Sequence, residues 1–157
     1  MLKIRLTLWI VVCIAVATAC VNSNETGEFH PIDASGWQYG DTLTYRLESP
    51  DSMWHGDIAI VVRHSASYPY SNLWLELSYP PTDSIGADSI NIVLADDLGN
   101  WYGRGLGLSY QHIDTVIRNI SLTAPAELSL RHIMRNDRLT DIEQIGIIFT
   151  STERAAE

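Results

Sequence analysis

Apolar and polar side chains alternate along most of the chain after residue 40. Apolar residues take every second position in a series of short segments, and polar residues lie between them. A period of two buries one face of a strand and leaves the other in solvent. Half-buried strands are therefore predicted at Leu43–Leu47, Ile58–Val62, Leu73–Leu77, Ile90–Leu94, Leu128–Leu130 and Ile145–Phe149.

Turn-forming residues separate these segments. The clusters are Ser49–Ser52, Tyr79–Asp83, Asp96–Asn100 and Thr123–Pro125, and the stretch His112–Leu122 is rich in β-formers but irregular. About seven or eight short strands with such turns predict an all-β fold, a two-sheet antiparallel β-sandwich of the jelly-roll-like kind. One helical turn is expected at Asp137–Glu143, with Leu139 and Ile142 pointing inward.

The first 19 residues have the three parts of a secretory signal. Lys3 and Arg5 supply a positive end, Leu6–Val16 is a mostly apolar run, and Ala17–Ala19 are small. A transmembrane helix is the alternative interpretation. Spanning a bilayer takes about 20 apolar residues, whereas Leu6–Val21 offers 16 before the chain turns polar. A cleaved signal is favoured.

A cysteine directly after small residues is typical of lipoprotein signals. Ala17-Thr18-Ala19-Cys20 resembles the bacterial lipobox, although Ala17 stands where leucine is commonest. Cys13 is a poor alternative because bulky Val12 precedes it. We therefore expect cleavage before Cys20 and lipid on its thiol. The expected organisation is a signal peptide at 1–19, a lipidated tether at 20–35, a β-sandwich domain at 36–152 and a tail at 153–157.

Length and charge limit the possible functions. The chain has 157 residues, enough for one domain with its own core. After Cys20, eight arginines stand against 19 acidic residues, a formal charge of −11. So acidic a surface repels phosphate backbones, and we expect no nucleic-acid partner. The residues after Cys20 contain no cysteine, which excludes thiol catalysis and disulfides within that part.

No enzyme motif stands out. The chain has no G-x-S-x-G, H-E-x-x-H or phosphate-loop pattern. Its five histidines lack the short spacing of zinc sites, and we interpret them as surface or sheet-edge residues. Asp96, Asp97 and Asn100 could suit calcium, but a plain turn explains them better. We expect no enzymatic activity, no metal and no cofactor.

Aromatic residues are the best candidates for partner binding. They cluster near strand ends and loops: Trp54, Tyr68, Tyr70, Trp74, Trp101 and Tyr102. Either they form exposed platforms or they plug the open ends of the sandwich. Tyr70, Trp74, Trp101 and Tyr102 are the candidate partner-binding residues, the last two in a glycine-rich loop at Asp96–Gly105. Because adjacent residues of an extended segment point opposite ways, one of Trp101 and Tyr102 should anchor the loop and the other face outward.

Several segments together resemble the gliding motility lipoprotein GldH family of Bacteroidota. They are Tyr68–Leu75, Leu94–Gly105, His132–Arg135 and Leu139–Ile147, behind a leader of the lipoprotein type. The resemblance implies a membrane lipoprotein associated with gliding machinery and with secretion of surface adhesins, with Cys20 as its lipid site. It implies no catalytic residues.

Two functions remain open from the sequence. The first is a non-catalytic structural or assembly lipoprotein that binds other envelope, gliding or secretion proteins and faces the periplasm or the cell surface. The alternative is a carbohydrate-binding β-sandwich lipoprotein, since exposed aromatic platforms in β-sandwiches also bind sugars.

Overall fold

The computed structural model describes residues 24–49, 52–80 and 86–152, and they form an all-β fold without a helix. The strands are β1 Glu25–Pro31, β2 Trp37–Gln38, β3 Leu43–Leu47, β4 Met53–Ser65, β5 Asn72–Tyr79, β6 Gly86–Val93, β7 Arg104–Leu106, β8 Ser109–Thr123, β9 Ala126–His132, β10 Arg138–Leu139 and β11 Ile142–Ser151. Each alternating segment of the sequence lies in one of these strands or reaches one residue beyond it.

Two antiparallel sheets pack around one core. The five-stranded sheet has the order β1-β11-β4-β8-β7, and the four-stranded sheet has the order β3-β9-β5-β6. A short ribbon of β10 and β2 stands beside them. This arrangement confirms the predicted two-sheet antiparallel sandwich.

The core follows the period of two. The inward residues of β4, β5, β9 and β11 are fully buried: Ile58, Ile60, Val62, Leu73, Leu75, Leu77, Leu128, Leu130, Ile145, Ile147 and Phe149. Tyr45 of β3 is also buried and donates its hydroxyl to the Ile145 carbonyl across the core, at 3.2 Å. This bond joins the two sheets and satisfies a polar atom that burial would otherwise leave unpaired.

Strand β8 explains the irregular stretch of the sequence. Its register against β4 shifts near Ile58, where Arg118 and Asn119 bulge out of the ladder. Asn119 takes a positive φ of 53°, and its backbone N–H donates to the Asp57 carboxylate at 2.9 Å. A bulge adds a residue to one strand and breaks the period of two, so the pattern could not be clean there.

The expected tether at 20–35 is wrong for Glu25–Pro31. These residues form β1 and pair with β11 over seven positions. The backbone N–H of Ser151 also donates to the Asn24 carbonyl at 2.7 Å. Polar composition, Gly27 and a terminal proline are tolerated because β1 is an edge strand. The folded domain therefore begins before residue 36, while the signal peptide, Cys20 and the tail at 153–157 lie outside the described residues.

The expected helical turn at Asp137–Glu143 is also wrong. The chain forms β10 there and enters β11 at Ile142. Leu139 and Ile142 do point inward, with 1% and 3% of their surface exposed. Asp141 sits between them with a φ of 68°, and its carboxylate accepts from the Ser65 hydroxyl at 2.8 Å. The spacing of two inward residues fits a helix, but a kink between two strands produces it here.

The connections collect at two ends of the sandwich. We call the upper end the one where β1 and β4 finish and β5 and β11 begin. It carries the connections at residues 32–42, 66–71, 94–103 and 133–141. The lower end carries Asn24 and the turn between β8 and β9. No helix among the described residues has the length and apolar character needed to cross a membrane.

Candidate functional site

The loop after β6 holds Trp101 and Tyr102 in opposite environments. An isolated antiparallel bridge joins Trp101 to Ala95, and the backbone N–H of Tyr102 donates to the Leu94 carbonyl at 2.7 Å. Trp101 is partly buried against the core, whereas Tyr102 is 44% exposed. Trp101 is therefore the anchor and Tyr102 the outward member of the pair, as alternation predicted. Whether Tyr102 meets a partner stays a prediction.

Asp96 organises the turn of this loop. Its Oδ1 accepts the backbone N–H groups of Leu98 and Asn100 at 2.9 and 2.8 Å, and its Oδ2 accepts the Asn100 side-chain amide at 2.8 Å. These bonds, first those from Asn100, lower the pKa of the Asp96 carboxyl. The carboxylate is thus occupied by its own turn, which supports the turn interpretation over calcium. The described residues contain no group of three or more acidic or histidine side chains arranged to hold a metal.

His64 lies under this loop and is fully buried. Its ring centroid is 4.5 Å from that of Trp101, 5.8 Å from that of Tyr68 and 5.9 Å from that of Tyr110. Nδ1 donates to the Ser65 carbonyl at 2.9 Å, and Nε2 meets no hydrogen-bond partner in the described part of the chain. Burial is the main cause that lowers the pKa of His64. A neutral ring therefore completes the aromatic packing.

His132 is the second fully buried histidine, and the surface interpretation is wrong for both rings. Nε2 of His132 donates to the Trp37 carbonyl at 3.2 Å, and burial lowers its pKa as well. The signal was present in the sequence, because His64 continues the inward series of Ile60 and Val62. In the same way His132 follows Leu128 and Leu130. The other three histidines are half-buried.

Tyr70 and Trp74 come together at one groove of about 570 Å³. Trp74 is 41% exposed on the outer face of β5, and its backbone carbonyl accepts from the Ile133 N–H at 2.9 Å. The Asn136 side-chain amide donates to the Tyr70 hydroxyl at 2.8 Å. Met134 and Arg135 complete the lining.

The sequence did not single out Met134, Arg135 and Asn136 as site residues. They follow β9, more than 50 positions from Tyr70 and Trp74. No local pattern relates the two stretches, because it is the pairing of β5 with β9 that brings them together. Only the long-range register of the four-stranded sheet creates this groove.

The six aromatic candidates differ in burial: some pack in the core, and others are exposed to solvent. Trp54 and Tyr68 are buried, with 4% and 3% of their surface exposed, and belong to the core. Tyr70 packs edge-on against Tyr68 with centroids 5.5 Å apart. Tyr102 instead lies beside His112 of the five-stranded sheet, at 6.2 Å. Trp74 thus presents aromatic surface on the four-stranded sheet, whereas Tyr102 presents it on the loop before β7 at the upper end. Cys20 lies outside the described residues.

Sequence comparison identifies one family. The sequence model described as GldH lipoprotein matches residues 25–148, from the first strand to the last. No curated protein matches the chain by sequence.

Solved structures show only a weak likeness to the chain. A family 35 carbohydrate binding module from Clostridium thermocellum is 12% identical over 81% of this chain and 88% of that one, with a TM-score of 0.41. Eiger TNF from S. frugiperda is 9% identical over 85% and 98%, with a TM-score of 0.37. Dimeric latent PorU from Porphyromonas gingivalis is 14% identical over 82% and 13%, with a TM-score of 0.29. Likeness at this level carries no functional argument.

Proposed function

Because the chain belongs to the GldH lipoprotein family and is a lipid-anchored membrane protein of the cell envelope, we propose that it is a non-catalytic assembly component of the gliding or secretion machinery. Cys20 carries the lipid, and the domain faces the periplasm or the cell surface. The domain works by binding other envelope proteins through aromatic side chains near its upper end.

The observation that carries this proposal is that Trp74 and Tyr102 are exposed aromatic residues on a well-packed backbone. Both residues are more than 40% exposed, yet each follows a residue that packs into or against the core. Trp74 follows buried Leu73 on β5, and Tyr102 follows Trp101, which packs on the His64 ring. Rigid aromatic side chains lose little conformational freedom on binding and are over-represented among interface hot spots.

Site-specific cross-linking in intact cells tests the partner surface. A photo-reactive amino acid replaces Trp74 or Tyr102, and exposed Thr123 at the lower end serves as the matched control. We expect discrete cross-linked products that contain gliding or secretion proteins from the first two positions and fewer from Thr123. The same products in equal yield from all three positions would argue against an upper-end partner surface.

Fatty-acid labelling tests the anchor separately. The Cys20→Ala variant should incorporate no labelled fatty acid and should leave the detergent phase, whereas the parent chain incorporates the fatty acid and stays in the detergent phase. Incorporation that persists in this variant would place the lipid elsewhere.

The carbohydrate-binding alternative has one observation in its favour. The exposed Trp74 ring borders a groove that also offers the polar side chains of Arg135 and Asn136. An aromatic face beside hydrogen-bonding groups suits a sugar ring. A glycan array decides between the two functions: specific binding that is lost in Trp74→Ala favours the carbohydrate, and no binding favours the assembly role.

A further inference from the structure

An apolar row crosses the outer face of the five-stranded sheet. Phe29 of β1 pairs with Gly146 of β11, Gly146 pairs with Val61 of β4, and Val61 pairs with Ile113 of β8. We call these four residues the outer row. They alternate with residues of the core, so they point away from it. Phe29 and Ile113 remain 44% and 53% exposed.

The residues of the outer row are neighbours in the sheet and are not isolated apolar residues. The Phe29 ring lies over Gly146, where any added Cβ would collide with it. Val61 is only 2% exposed although it is not part of the core cluster, so it is covered from the outside. Ile148 extends the apolar surface beside Gly27 in the neighbouring row. These residues form a continuous apolar surface on a face that normally meets water.

The opposite outer face is polar by comparison. At its centre Arg131 of β9 and Glu76 of β5 form an ion pair at 2.8 Å. Ser129 and Ser78 are paired in the next row. The exposed large apolar residues of this face, Trp74 and Val93, lie toward the upper end. Within the described residues, the apolar surface that runs across four neighbouring strands belongs to the five-stranded sheet.

The N-terminal chain length indicates what covers the outer row. The backbone bond between Ser151 and Asn24 fixes the chain at Asn24, and only residues 21–23 lie between it and Cys20. Four steps of extended chain span at most about 14 Å. A lipid on Cys20, which is part of the function proposed above, therefore holds the Asn24 end of β1, at the edge of this sheet, close to the headgroups.

We propose that the outer row rests on the lipid surface, so that the five-stranded sheet faces the membrane and Trp74 faces away from it. The charges around the row fit a neutral surface. Arg63 pairs with Glu143 at 3.0 Å, and Arg118 pairs with Asp57 at 3.4 Å. Because the chain after Cys20 carries a formal charge of −11, anionic headgroups would repel it. The surface that fits is zwitterionic.

Single-cysteine labelling tests this orientation on the full lipidated chain. Ile113→Cys probes the outer row, and Asn91→Cys, paired with Trp74 on the opposite outer face, is the matched control. Each variant carries a fluorophore in phosphatidylcholine vesicles that contain a spin-labelled headgroup lipid. We expect quenching several-fold stronger at position 113 than at position 91.

A second experiment keeps the fluorophore at one position and changes a different residue. With the fluorophore on Thr115→Cys, next to the outer row, Ile113→Asn should reduce the quenching. Leu98→Asn, which removes an 88% exposed side chain from an upper loop, should not. Circular dichroism confirms that each variant is folded.

The outcomes are distinct. Equal quenching at positions 113 and 91 would overturn the orientation and leave the lipid anchor intact. A label at position 113 shielded from both the lipid quencher and aqueous iodide would show that protein covers the row, and this also overturns it. If the Cys20 thiol of the parent chain reacts with the fluorophore, the anchor and the orientation fail together.

Discussion

Two neutral histidine rings lie inside the core, and each lacks a partner for one nitrogen among the described residues. Charging His64 would place a proton on Nε2, which has no acceptor among the described residues, in a ring packed against Trp101 and Tyr110. Burial of a charge without a partner is expensive, and the protein avoids it by keeping the rings neutral.

Stability should therefore fall in mild acid. The pKa of His64 and of His132 in the folded chain lies below the ordinary value of 6.5. Above that value both states hold neutral rings, and below it the unfolded chain gains protons that the folded chain does not. We expect a lower free energy of unfolding at pH 5.5 than at pH 7.5, measured by urea denaturation. His64→Phe should reduce the difference, and equal stability at both pH values would contradict the prediction.

Trp101 and Tyr102 should separate stability from binding. Trp101→Ala removes the ring that packs on His64, and we expect a loss of about 2–4 kcal/mol, somewhat less than for a fully buried aromatic residue. Tyr102→Ala removes a 44% exposed ring and should cost less than about 1 kcal/mol. Thermal melting measures both variants. If both melt low, the whole loop belongs to the core, and the groove at Tyr70 and Trp74 becomes the better binding candidate.

At the scale of elements, the conformation of the loop before β7 requires a glycine at position 103 more strictly than at position 99. Gly103 and Gly99 both have a positive φ, 88° and 82°. A Cβ on Gly103 would collide with the Gln111 carbonyl, while one on Gly99 would meet nothing within 4 Å. Gly99→Ala should cost about 1 kcal/mol from backbone strain alone, and Gly103→Ala should cost clearly more. Comparable melting temperatures for the two variants would mean that the loop can move away.

Strand β1 should be essential to the domain although its composition is that of a linker. Without it, β11 would lose seven paired positions, and Tyr45 would lose the His30 ring at 4.6 Å. A chain that starts at Ile32 should lose several kcal/mol of the roughly 5–15 kcal/mol typical of a domain. A chain that starts at Asn24 retains every pairing and is the control. Equal melting of the two chains would return β1 to the role of a tether.

At the scale of the whole molecule, folding should need neither metal nor disulfide. The residues after Cys20 contain no cysteine, and one apolar core joins both sheets. Thermal unfolding of the domain should therefore be unchanged by chelator and by reductant. A melting temperature that drops by many degrees with chelator would indicate calcium at Asp96, Asp97 and Asn100.

The sequence by itself determined the fold class and most strands, because alternation is a local consequence of having one buried face. It also carried enough residue identity to indicate the family, and alternation predicted the opposite directions of Trp101 and Tyr102. It failed at β1, where an edge strand has little need of apolar alternation, and at Asp137–Glu143, where a kink imitates helical spacing.

Only the tertiary structure decided which residues that are distant in sequence become neighbours in space. The groove at Trp74 and the outer row each require residues that are distant in sequence to share a register. The inward positions of His64 and His132 follow from alternation, but their aromatic surroundings do not. Register depends on the sum of pairings across a sheet, so no single segment of the chain contains the information that sets it.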